Sequence, residues 1–167
     1  FKLPPNSTDG GVGALTTGRD DALWYLTREA IGRITTSGQV TEFPHQRVGG
    51  LFEYSRGAMT LGPDGNLWFV GATPGMVPAA AIDRITASGQ VTEIPLSTKE
   101  SGPVAIAWGP DVDIWFASAS DGVIGHVSTT GQFTEYAVPG QLRDLVWGPG
   151  DVHWFTSAEG VGRISLA

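Results

Sequence analysis

Apolar and polar residues alternate along this chain over short spans, and Gly, Pro, Asp or Ser closes each span. A period of two with such punctuation predicts successive antiparallel strands. The pattern is clearest in residues 58–94, where four strands are predicted. They are Ala58-Met59-Thr60-Leu61, Asn66-Leu67-Trp68-Phe69-Val70, Ala81-Ile82-Asp83-Arg84-Ile85-Thr86 and Gln90-Val91-Thr92-Glu93-Ile94. Gly62-Pro63-Asp64-Gly65 joins the first two, with proline presetting φ and Asp-Gly suited to a positive φ. Ala87-Ser88-Gly89 joins the last two in the same way, so both are predicted hairpins.

The same phrase is written four times. An aromatic pair recurs as Trp24-Tyr25, Trp68-Phe69, Trp115-Phe116 and Trp154-Phe155, with tryptophan spacings of 44, 47 and 39 residues. Each pair is followed by an Ile-Gly-Arg-Ile-like tetrapeptide, beginning at Ile31, Ile82, Ile124 and Val161. Repeats of this length mark propeller blades. A lone four-stranded sheet cannot bury both faces, whereas sheets stacked around an axis bury the recurring Trp, Phe and Ile between neighbours. The expectation is an all-β β-propeller, one array over residues 1–167, with four-stranded blades at about 10–44, 55–95, 102–137 and 141–167. The last unit stops after its third strand, at Arg163-Ile164-Ser165-Leu166. Phe1-Lys2-Leu3-Pro4 matches the end of the missing strand, as in Glu42-Phe43-Pro44, so a strand at 1–4 is expected to complete the last blade and close the ring.

Composition narrows the partners. A net charge of −7 and a pI near 4.7 leave no basic stripe for phosphates, which argues against nucleic acid. No run approaches 18 apolar residues, so no membrane span is expected, and the chain reads as soluble, in a cytoplasmic or secreted setting that the sequence leaves open. The absence of cysteine removes disulfides and thiolate metal sites.

Several phrases resemble one family. Gly62-Pro63-Asp64-Gly65-Asn66-Leu67-Trp68-Phe69, the stretch from Ile31 to Pro44, and Ser101-Gly102-Pro103-Val104-Ala105-Ile106 look like blades of the streptogramin B lyases, also called virginiamycin B lyases. The resemblance covers essentially the whole chain. It implies a seven-bladed propeller and a lyase that linearises a cyclic depsipeptide antibiotic by magnesium-assisted elimination at the ester. Four blades depart from that count. Two copies, each offering its 1–4 strand to the other, are expected to form an eight-bladed homodimer of the commonest symmetry. The chemistry departs too. The resemblance places the family's catalytic His at Gly13, Gly57, Val104 and Arg143, and its carboxylates at Thr27, Gly71, Ser118 and Ser157. Neither group is present there, so no catalytic residue and no metal ligand are assigned.

Repetition sorts the remaining candidates. His45 is expected on the surface of an inter-blade loop, His126 in the structural role of the repeated Arg, and His153 as a packed or half-exposed strand residue. Asp111 and Asp113 resemble a pair for a hard cation, but Asp20, Asp21 and Asp64 recur at equivalent turns, which favours hairpin chemistry. Glu42, Glu93 and Glu135 are expected to face solvent on the outermost strand, and Arg33, Arg84 and Arg163 to donate between blades. Residues that do not repeat are the better functional candidates. Arg56, Arg143, Asp144, Trp108 and Trp147 are therefore the candidate ligand-binding set at a channel mouth, although for the two tryptophans packing between blades is the first expectation. The apolar insert at 70–80 and Phe52-Glu53-Tyr54 read equally as a mouth cover, a partner contact or tolerated insertions.

The leading functional expectation is a non-catalytic binding or scaffold propeller, without cofactor, that meets an unknown small molecule or protein at a channel mouth. The alternative is a carbon-oxygen lyase using magnesium, either divergent or part of a larger enzyme. A chain whose sole property is assembly is a third reading.

Overall fold

The computed structural model describes residue 3 and residues 12–27, 30–45, 58–72, 80–96, 102–109, 113–119 and 122–165. Among the described residues every regular element is a strand, fifteen in all, in four antiparallel sheets. The first sheet holds β1 (Ala14–Thr17), β2 (Leu23–Leu26), β3 (Ala30–Ile34) and β4 (Val40–Pro44). The second holds β5 (Met59–Leu61), β6 (Leu67–Ala72), β7 (Ala80–Ile85) and β8 (Val91–Pro95). The third holds β9 (Pro103–Trp108), β10 (Ile114–Ser118), β11 (Val123–Val127) and β12 (Phe133–Ala137). The fourth holds β13 (Leu142–Gly148), β14 (Val152–Ser157) and β15 (Gly160–Ile164). Strands pair in chain order within every sheet, the meander expected of a propeller blade.

The hairpins form where the turn chemistry put them. Gly65 takes a φ of 76° and its amide donates to the Gly62 carbonyl at 3.0 Å. Gly38, Gly89 and Gly131 hold the same place in the second hairpin of the first three blades, at φ of 86°, 87° and 87°. Only a residue without Cβ adopts this conformation at little cost.

Each blade uses its two faces differently. Trp24, Leu26 and Ile31 of the first sheet share a core with Leu67, Phe69 and Ile85 of the second. Trp68, Val70 and Ile82 do the same with Ile106, Ile114 and Phe116 of the third. Trp115, Ala117 and Ile124 then meet Leu145 and, less deeply buried, Phe155 and Ile164 of the fourth. One blade's tryptophan face thus always meets the next blade's opposite face. Each large side chain removed from water this way contributes about 1.5–3 kcal/mol. The repeated glycine has a packing reason as well. A Cβ on Gly32, Gly125 or Gly162 would overlap the ring of Tyr25, Phe116 or Phe155, which lies across it.

The innermost strands run in order, β1 beside β5, β5 beside β9 and β9 beside β13. Among the described residues no comparable contact joins β13 back to β1, so no closed ring is found. The fourth sheet likewise has three strands among the described residues. Of the expected closing strand at 1–4, Leu3 is described, half-buried and outside any strand, and the rest lies outside the described residues. No helix among the described residues is long and apolar enough to cross a membrane.

Candidate functional site

Strand direction divides every blade into two ends. Ala14 at the start of β1 pairs with Leu26 at the end of β2, and Ala30 at the start of β3 pairs with Pro44 at the end of β4. The inter-blade connections and the middle turn of each blade therefore lie at one end, the connection end, and the first and last hairpins of each blade at the other, the turn end. Arg143 and Asp144 lie at the connection end of β13, exposed, beside a register shift. Asp144 accepts from the Leu145 amide at 2.8 Å. Trp108 and Trp147 lie at the turn end, opposite Ile114 and His153. Four residues of extended chain, about 13 Å, separate Arg143 from Trp147. The expected cluster at one mouth is therefore corrected to two separate pairs, and Arg56 lies outside the described residues. The tryptophans are 44% and 47% exposed, so packing covers only about half of each side chain. They occupy the same position on adjacent innermost strands, one blade apart.

His45 is the larger correction. Its side chain is 12% exposed, not out in solvent, because it packs against the second blade. There Nε2 lies 3.2 Å from Oδ2 of Asp83, whose side chain is fully buried, and the ring meets Phe69 edge-on at 5.7 Å. Asp83 stands where the other blades have glycine. Its carboxylate occupies the space that a Cβ on Gly71 would need. Glycine at 71, against Thr27, Ser118 and Ser157 elsewhere, thus makes room for the substitution at 83. A buried charge is retained when it is paired and hydrogen-bonded, and sequence reading missed this pair because its members are 38 residues apart.

The other histidines join a stack between the third and fourth blades. Trp115 lies 4.4 Å from the His153 ring and 5.0 Å from the His126 ring, near-parallel to both, and Tyr136 continues the stack. His126 Nδ1 lies 2.7 Å from Asp113, as Arg33 pairs with Asp20 and Arg84 with Asp64, so it does fill the arginine's role. Arg84 also reaches into the third blade, donating to the Thr129 carbonyl at 3.1 Å. Asp64 is turn chemistry: it accepts from the Asn66 amide at 3.1 Å and from the Trp68 indole at 3.0 Å. Asp111 lies outside the described residues. Glu42 does not face solvent; it is half-buried and accepts the Tyr25 hydroxyl at 3.0 Å.

Three further features bear on chemistry. An open apolar cleft of about 220 Å³ lies at the turn end between the first two blades, with Trp24, Leu67 and Ile85 in its wall and Arg19 and Asp20 at its rim. It is smaller than the roughly 300–1,000 Å³ of small-molecule sites. Among the described residues no group of three His, Asp or Glu converges as a metal site. Thr27 exchanges hydrogen bonds with the backbone of Ala30, and Ser118 is buried. The positions where the resemblance expects carboxylates thus carry hydroxyls or glycine, a donor set that does not fit a magnesium ion.

The profile of the Virginiamycin B lyase family matches residues 1–167. The chain belongs to that family. Among solved structures it is similar to virginiamycin B lyase from Staphylococcus aureus, at 32% identity and a TM-score of 0.80, covering 99% of this chain and 55% of that one. A streptogramin B lyase structure gives 32% identity and a TM-score of 0.80, with 99% and 54% covered. A catalytically inactive histidine-to-alanine variant of the S. aureus lyase, with quinupristin, gives 26% identity and a TM-score of 0.78, with 99% and 58% covered. No curated protein gives a significant match. The chain spans just over half the length of the lyases it matches.

Proposed function

We propose that this member of the virginiamycin B lyase family is a non-catalytic binding propeller that self-associates, its 1–4 strand joining a last blade to complete the ring. The carrying observation is the pair of tryptophans, Trp108 and Trp147, held half-exposed at one mouth where a packed blade would bury them. Exposed aromatic side chains favour a ligand with a flat or cyclic apolar surface, or an apolar segment of a partner protein. Titration with quinupristin tests the reading. Saturable quenching of tryptophan fluorescence, lost in Trp108→Ala and Trp147→Ala, with the ligand recovered intact by mass spectrometry, is the expected result. The absence of both quenching and a shift in melting temperature would overturn it for this ligand class.

One observation favours the lyase reading. The buried Asp83 carboxylate, held by His45, lies beside Gly71, a position at which the family resemblance expects a carboxylate. Appearance of the linear elimination product, abolished in Asp83→Asn, would establish that reading in place of the first.

A further inference from the structure

The interface between the first and second blades and the one between the second and third use equivalent residues, yet they finish differently at the turn end. In the later interface Arg84 crosses to the third blade and donates to the Thr129 carbonyl at 3.1 Å. In the earlier one Arg33 is the equivalent of Arg84, and Ala87 is the equivalent of Thr129. Arg33 is held back on Asp20 and, among the described residues, bonds to nothing in the second blade. The space over Ala87 is therefore not bridged, and the cleft walled by Trp24, Leu67 and Ile85 opens there. Arg19 borders it. It stands where the second blade has Pro63, exposed, and its side chain lies across the interface on Gly65, where a Cβ would come within 2.7 Å of Nη1. Among the described residues no carboxylate pairs with Arg19, whereas Asp20 beside it already accepts from Arg33, the Trp24 indole and the Ala22 amide.

An apolar wall with a guanidinium at its edge suits a ligand made of the same two parts. The guanidinium fork matches a carboxylate, on which it can place two parallel hydrogen bonds. The wall takes an aliphatic or aromatic body out of water. At about 220 Å³ the cleft holds a short chain or a single ring and not a drug-sized molecule. Arg19 repels a cationic ligand, and a wholly apolar one would leave its guanidinium without a partner. We infer that this cleft binds a small monocarboxylate, with the carboxylate on Arg19 and the apolar body against Trp24, Leu67 and Ile85. Neither Trp108 nor Trp147 belongs to it, so this site goes beyond the ligand reading made for those tryptophans and stands or falls separately from it.

Titration of the whole chain with hexanoate, followed by nuclear magnetic resonance, tests it. The indole N–H of Trp24 and the amide of Gly65 border the cleft and serve as reporters, and both should shift saturably. Hexanamide, with the same body and no charge, should bind at least about tenfold more weakly, because it forfeits the charge-assisted pair. Acetate, with the charge and little body, should also lose at least about tenfold. Arg19→Gln should bring hexanoate down to the affinity of hexanamide and leave hexanamide unchanged. Ala87→Phe should block both by filling the cleft. Arg19 and Ala87 are exposed, so circular dichroism should show both variants folded. No saturable shift at the two reporters, equal affinities for hexanoate and hexanamide, or undiminished hexanoate binding in Arg19→Gln would overturn the inference. A tripeptide ending in leucine that bound more tightly than hexanoate would overturn the assignment to a small acid in favour of a chain terminus.

Discussion

Asp20 and Asp64 do several jobs at once in their hairpins. Burial alone would raise the Asp64 carboxyl, but the Trp68 indole, the side chain and amide of Asn66 and the charge of Arg84 outweigh it and hold the group below its ordinary value of 3.8. Asp20 is lowered likewise, against burial, by Arg33, Trp24 and the Ala22 amide. A carboxyl depressed in the folded state stabilises the fold fully above its unfolded value and loses that contribution as pH falls through the folded one. The melting temperature should therefore hold from neutral pH to about 5 and drop below about 4, with a shallower acid limb in Asp64→Asn; an unchanged limb would mean Asp64 contributes nothing. Tyr25 is pushed the other way, by burial first and then by Glu42, so it stays protonated and donates. His45→Ala removes a partner from the buried Asp83 carboxylate and should cost about 3 kcal/mol, read as a lower urea midpoint at unchanged slope. The hairpin Asp was legible in the sequence because its partners are close along the chain. The His45–Asp83 pair was not, because it bridges two blades.

At the scale of the element, the repeated glycine is a packing residue, since an aromatic ring of the neighbouring strand lies on it. Gly125→Ala should cost about 1–3 kcal/mol, because the Phe116 ring must move within a filled interface. Chemical denaturation measures this, and a cost near zero would show that the ring relaxes freely. The second blade breaks the rule consistently, with Asp83 in place of glycine and Gly71 in place of the larger neighbour. In the sequence these look like two unrelated departures from a repeat. In the fold they are one exchange, because the two positions share a face of adjacent strands.

At the scale of the molecule, four blades stand in order without a comparable closing contact among the described residues, and the chain covers just over half of the lyases it resembles. The two ends of the innermost strands are chemically different, with Arg143 and Asp144 at the connection end and the tryptophans at the turn end. Arg143→Ala should therefore leave quinupristin quenching unchanged while Trp147→Ala weakens it at least about tenfold; equal losses would mean that the ligand does not sit at the turn end alone. Amino-acid order alone fixes the repeat, the strands and the hairpins, because period-two alternation and turn chemistry act over a few residues, and the family is read from the resemblance of whole phrases. Exposure of a given copy of a repeated residue is a different matter. Ile31 and Val161 carry the same instruction, yet one is buried and the other bare, because burial depends on whether a neighbouring blade is there to cover it.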